Sequence, residues 1–149
     1  MIASCFYLGY SPVAPGTVGA LGGVALYFLM RTATLSHFAY AFLCIVLVFL
    51  SIWIADLAEQ ILMKKDASEI VLDEVVGIPI TMFLIPFSWM TLVIGFILNR
   101  ILDIWKPFPA KQAQNLPGGW GIVLDDVISS IYANVVLRLG VFFLFKYCQ

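Results

Sequence analysis

Residues 75–99 read VVGIPITMFLIPFSWMTLVIGFILN, a run without one charged side chain. About 18 or more apolar residues in a row are enough to cross a bilayer as a helix. Pro86 interrupts the run, and proline removes a backbone N–H and clashes with the preceding turn, so it kinks or ends a helix. Two folds compete. One kinked span would put Asp73 and Glu74 across the bilayer from Asp103. A hairpin turning at Pro86 would return all three to one side. The hairpin arms, about 16–18 residues each, are short for a hydrocarbon core of ~30 Å. They suffice if the acidic ends sit slightly inside the interface, and the hairpin is the preferred reading.

The rest of the chain fits the same solvent. Of 149 residues, 62% are hydrophobic and 11% charged, against about 25% charged in a soluble domain. Residues 1–30 and 38–55 are also free of charge. The expected fold is all-α: a single membrane-embedded domain over 1–149, built as a bundle of about five helical segments. These run from Thr17 to about Met30, Phe38 to Ala55, Ile70 to Ile85, Ser88 to Trp105 and Ile122 to Phe145. A polar connection with Lys64, Lys65 and Asp66 follows the second segment. A proline- and glycine-bounded loop, 107-PFPAKQAQNLPGG-119, precedes the last. No basic region opens the chain, so no cleavable signal is expected. With the hairpin, Lys64, Lys65, Lys106 and Lys111 share one face, and Arg31 and Lys146 the other. The positive-inside rule puts the first face in the cytoplasm.

That face also collects the acids. Fourteen of the seventeen charged residues, and all nine acidic ones, lie between Asp56 and Asp126. Ionisable groups at membrane depth are costly, so the grouping marks aqueous loops, a site, or both. In 70-IVLDEVVG-77, Asp73 and Glu74 enter a helix, where its dipole alone would favour them. In 99-NRILDIWKPFP-109, Asn99, Arg100, Asp103 and Lys106 make one polar stripe at helical spacing. It reads as salt bridges, or as a fork and a point charge for a phosphate. In 118-GGWGIVLDDVISS-130, Asp125 and Asp126 repel each other, and a divalent cation would relieve that. Hard oxygen ligands without clustered Cys or His favour Mg²⁺ or Mn²⁺. Asp126, Ser130 and Asn134 fall on one line, and Asp125 and Ser129 on a neighbouring one. In 9-GYSPVAPGTVGALGG-23, Gly19 and Gly23 suit close helix packing, while Gly16 and Thr17 open a helix whose free N–H groups could face an anion.

Several chemistries are excluded by what is missing. The single histidine, His37, lies on the opposite face, which argues against a phosphohistidine mechanism. The Asp-x-Asp-x-Thr and Cys-x5-Arg signatures are absent, as is the CDP-alcohol phosphotransferase pattern. Cys5, Cys44 and Cys148 stand singly and read as small buried residues. No nucleic-acid partner is expected.

Four blocks together, 11-SPVAPGTVG-19, 73-DEVVG-77, 100-RILDIWKPFP-109 and 118-GGWGIVLDD-126, resemble the phosphatidylglycerophosphatase A family of bacterial membrane enzymes. The resemblance implies Mg²⁺-dependent hydrolysis of phosphatidylglycerophosphate to phosphatidylglycerol at the bacterial inner membrane, with a phospholipid in the bilayer as substrate. It aligns Asp73, Glu74, Arg100, Asp103, Lys106, Asp125 and Asp126 with the family's charged motif residues, and Asp66 and Glu69 with an upstream acidic stretch. On that basis Asp73, Glu74, Asp103, Asp125 and Asp126 would hold one or two Mg²⁺ ions and form the catalytic set. Arg100 and Lys106 would bind the phosphate, with donors added by Gly16 and Thr17. Two departures stand out: Asn99 where the family often has Phe, and Ser129-Ser130 where it often has Ala-Gly. The rival reading is an ion or small-solute transporter, which would spread charge along the membrane depth. Here charge gathers at segment ends, Arg138 excepted. A non-catalytic scaffold would need no such grouping.

Overall fold

The computed structural model describes residues 15–62 and 71–147. The described residues form six helices and no strand: α1 (Pro15–Thr32), α2 (His37–Leu62), α3 (Leu72–Thr81), α4 (Trp89–Trp105), α5 (Ala110–Ala113) and α6 (Gly119–Tyr147). Within α2 and α6, His37–Ile61 and Gly119–Phe143 are long and apolar enough to cross a membrane. Their outward sides carry exposed Phe42, Phe49, Trp53, Val135, Leu139 and Phe142. An apolar outer surface of this kind is normal in lipid and would be a liability in water.

The short helix α3 lies at the centre and touches α1, α2, α4 and α6. Its contact with α1 is built from small residues. A side chain at Gly23 would meet the Val75 carbonyl oxygen at 2.7 Å, and one at Gly19 would meet Val71 at 3.0 Å. Lipid is as apolar as a leucine side chain, so helices in a bilayer gain from close backbone approach more than from burial alone. Pro79 lies inside α3 and has no N–H to give to the Val75 carbonyl one turn earlier. Tyr40 of α2 donates to the Pro79 carbonyl at 2.9 Å.

The break in 75–99 falls earlier than Pro86. Helix α3 stops at Thr81 rather than near Ile85, a turn follows, and Leu84 takes a left-handed φ of 58°. Two causes are visible. Residues before a proline are pushed out of helical geometry. The Asn134 side chain of α6 donates to the Thr81 and Phe83 carbonyls, both at 2.8 Å, and so satisfies the freed end. Helix α4 starts as expected: the Ser88 hydroxyl accepts from Thr91 N and the Thr91 hydroxyl from Ser88 N, a reciprocal cap.

Three further boundaries differ from the sequence reading. The loop at 107–119 contains α5. Helix α2 continues past Ala55 to Leu62, because Asp56 does not begin a loop. Its carboxylate instead accepts from Gly119 N at 3.3 Å and caps α6, which therefore starts three residues before Ile122. Gly118, with φ of 62°, and Gly119 are needed there, since side chains on them would collide with Asp56 and with the Ile52 carbonyl. The polar connection and Asp66 and Glu69 fall outside the described residues, as do Cys5, Cys148 and residues 9–14 of the first glycine block.

Candidate active site

Helix α3 delivers Asp73 and Glu74 in its first turn, and α6 delivers Asp126 in its second. One carboxylate oxygen from each of these three residues lies within 4.8 Å of the others. Asp73 and Asp126 are buried, and Glu74 nearly so. Oδ1 of Asp73 and Oε2 of Glu74 are buried without any hydrogen-bond partner. Leaving such atoms bare costs ~1–3 kcal/mol each, more when charged. Two unit charges 4 Å apart add about 4 kcal/mol of repulsion at an effective dielectric of 20. The arrangement therefore calls for a positive charge, and its all-oxygen donor set fits a hard divalent cation such as Mg²⁺.

Nearby basic groups do not neutralise it fully. Arg100 pairs with Asp103 at 2.7 Å, and Lys106 pairs with Asp125. Asp125 is only 2% exposed, and Lys106 is the cation beside it. Lys106 reaches it because it ends α4 in a left-handed conformation, φ 46° and ψ 67°. Burial pulls the Lys106 ammonium down, but the Asp125 pair, with Asp126 and Asp103 nearby, outweighs that and holds it above the ordinary lysine value. Asp103 also faces Asp126, and Glu74 faces both Asp103 and Arg100. All five expected carboxylates thus belong to one assembly. Three of them form its tight centre, and Asp103 and Asp125 carry the two cations.

Gly16 belongs here too. A side chain on it would meet Glu74 Oε1 at 2.5 Å and Arg100 Nη2 at 2.9 Å, so the bare backbone of α1 forms one wall of the site. Thr17 follows it, half-buried.

Behind the acids lies a buried polar bridge. Thr81 donates to Asn99 Oδ1 at 2.9 Å, and the Ser130 hydroxyl lies 2.8 Å from the same oxygen and 2.7 Å from the Asp126 carbonyl. The Ser129 hydroxyl donates to the Leu102 carbonyl at 3.3 Å. Asn99 and Ser130, one from each of the two departures noted in the sequence, therefore touch each other. Gly77 lets them meet, since a side chain there would press on Ser130 Oγ at 2.8 Å and Asn99 Nδ2 at 3.2 Å. Sequence reasoning gave Thr81 and Gly77 no role. The spacing Asp73, Gly77, Thr81 on one helical face was the available signal. Arg138 donates to the Phe83 carbonyl at 3.1 Å, far from the carboxylates along α6.

A compact cluster of carboxylates with Arg100 and Lys106 at the ends of apolar helices suits one class of protein, an enzyme for phosphorylated lipid headgroups. The comparisons with known proteins agree. The phosphatidylglycerophosphatase A family matches residues 1–141, and this chain belongs to that family. A protein of Bacteroides thetaiotaomicron, provisionally named a phosphatidylinositol-3-phosphatase, is 37% identical over 94% of this chain and 91% of its own length. Phosphatidylglycerophosphatase A of Escherichia coli K12 is 30% identical over 92% of this chain and 80% of its own. The protein of that name from Haemophilus influenzae is 33% identical over 92% and 85%. No solved structure matches.

Proposed function

We propose that this chain hydrolyses the terminal phosphomonoester of phosphatidylglycerophosphate, giving phosphatidylglycerol and phosphate, with Mg²⁺ held by Asp73, Glu74 and Asp126. The observation that carries the reading is the trio of crowded carboxylates with two bare buried oxygens. The family membership and the names of two relatives support the substrate. Bound there, magnesium would activate water and neutralise phosphoryl oxygens. Asp73, Glu74 and Asp126 hold it. Asp103 and Asp125 keep Arg100 and Lys106 at the edge of the cluster, where an arriving phosphate dianion competes for the same nitrogens. Gly16 leaves room for that exchange, and Thr17 adds a donor beside it.

The proposed setting is the bacterial inner membrane, crossed several times, with the site facing the cytoplasm. Asp73 opens α3, Asp103 closes α4, and both lie near Asp126. That convergence supports a chain reversal around Pro86 within a bundle of about five main segments. It also argues against transport, because the clustered carboxylates, Arg100 and Lys106 share one end.

The Bacteroides relative's name raises a different headgroup on the same bond type, a phosphomonoester of a phospholipid. Purified protein in mixed micelles separates the two. Phosphate release from phosphatidylglycerophosphate should exceed that from phosphatidylinositol 3-phosphate, stop with EDTA and return with added Mg²⁺. Release that ignores EDTA would remove the metal, and preference for the inositol lipid would change the substrate.

A further inference from the structure

A second feature lies beside the carboxylates and has no part in the chemistry above. It is a groove of about 420 Å³ between α2, α3 and α6. From α2 come Ala41, Cys44, Ile45, Val48 and Phe49, spaced so that all lie on one helical face. From α6 come Val127, Ile131 and Asn134, from α3 Ile80, and from the turn after it Phe83. No lining residue is charged. Asn134, the one strongly polar member, has its amide nitrogen committed to the Thr81 and Phe83 carbonyls.

We propose that this groove holds an acyl chain of the lipid substrate while its phosphate sits at the carboxylates. This inference rests on the lipid-phosphatase reading above. Three observations select an acyl chain as occupant. First, the groove begins at the level of the site: Val127 follows Asp126 in α6, and Ile80 lies seven residues, about two turns, past Asp73 in α3. Second, it runs along the apolar helices, not across them. Ile52 and Ala55 pack against Ile122 and Val123, so α2 and α6 are antiparallel there. Val48 and Phe49 therefore mark the site end, and Ala41 and Asn134 the deep end. Seven residues of α6 give a depth of ~10 Å. Third, the slot lies on the two helices long enough to cross a bilayer, open to the side from which a lipid arrives. A second copy of this chain would need a broad matching face, ~800 Å² per partner, not a narrow slot.

Two measurements test this. In nanodiscs of phosphatidylcholine, wild-type protein is irradiated with phosphatidylglycerophosphate carrying a mid-chain diazirine, then with phosphatidylcholine carrying the same group. The substrate probe should label peptides containing residues 41–49 and 127–134 several-fold more than the phosphatidylcholine probe. Equal labelling would hand the groove to bulk lipid, and labelling elsewhere would overturn the proposal. In the second measurement, Ala41→Trp fills the deep end. It should raise KM for dioleoyl phosphatidylglycerophosphate about tenfold, the effect of excluding about two methylene groups, with kcat unchanged. KM for the dihexanoyl lipid should stay put. Ala41→Leu, a milder filling, should give a smaller shift in the same direction if the tryptophan variant does not fold. Equal effects on both lipids would sink the groove. If wild-type protein releases phosphate from neither lipid, the enzymatic reading fails, and the labelling pattern still decides what the groove binds.

Discussion

The two ends of α4 are polar for different reasons. At Ser88 the hydroxyls and amides of Ser88 and Thr91 exchange hydrogen bonds, and neither hydroxyl is left without a partner. At the Arg100–Lys106 end the helix meets a cluster in which Asp73 and Glu74 keep unpartnered buried oxygens. The first end is a finished cap. The second has capacity to spare, which is what binding a cation or a phosphate requires. Unsatisfied polarity and charge are separate signals, and neither alone marks the site: Asp56 is charged and caps α6, and Glu59 Oε2 is buried without a partner outside the carboxylate trio.

Three substitutions probe that contrast. Asp126→Asn removes a negative charge from the tight cluster. Phosphate release should fall at least about 100-fold, because even groups that only support a metal ligand cost 10- to 100-fold. The melting temperature in detergent should hold or rise as repulsion drops. Wild-type turnover in this variant would show that the carboxylate trio is not the site. Gly16→Ala puts a methyl group against Glu74 and Arg100. A displacement near 1 Å can cost about 100-fold in rate, so kcat should drop by roughly ten- to 100-fold while circular dichroism stays helical. An unaffected kcat would mean that this wall of the site is not in contact with the reaction. Ser88→Ala, at the finished end, should cost about 1 kcal/mol of stability and leave kcat and KM alone. A large loss of activity there would erase the distinction between the two ends.

Much of this was legible in the sequence, for reasons tied to particular residues. The apolar runs announced the helices, and Ser88 announced the start of α4. The charged residues that gather here were identifiable because charge is so scarce in the chain that each one is conspicuous. What escaped was tertiary. Helix α3 ends at Thr81 because Asn134, fifty-three residues later in sequence, satisfies its carbonyls. Asp56 looked like the start of a loop because its partner, Gly119 N, is sixty-three residues away. The glycines of α1 offered two readings, close packing at Gly19 and Gly23 and a helix opening toward an anion at Gly16. Gly19 and Gly23 do pack, and Gly16 lies against Glu74 and Arg100, an arrangement set by the register of α1 on α3. The roles of Thr81 and Gly77 depend on α4 and α6 crossing at one point, and no local pattern specifies that crossing.

Pro79 leaves one rung out of α3. The arm beyond it is tethered from α2 by Tyr40 and from α6 by Asn134, while the arm before it carries the two acids. A ladder missing one rung is softest at the gap. The two arms of α3 are therefore held by different neighbours, the acidic arm by the close backbone of α1 at Gly19 and Gly23, and the far arm by side chains reaching in from α2 and α6.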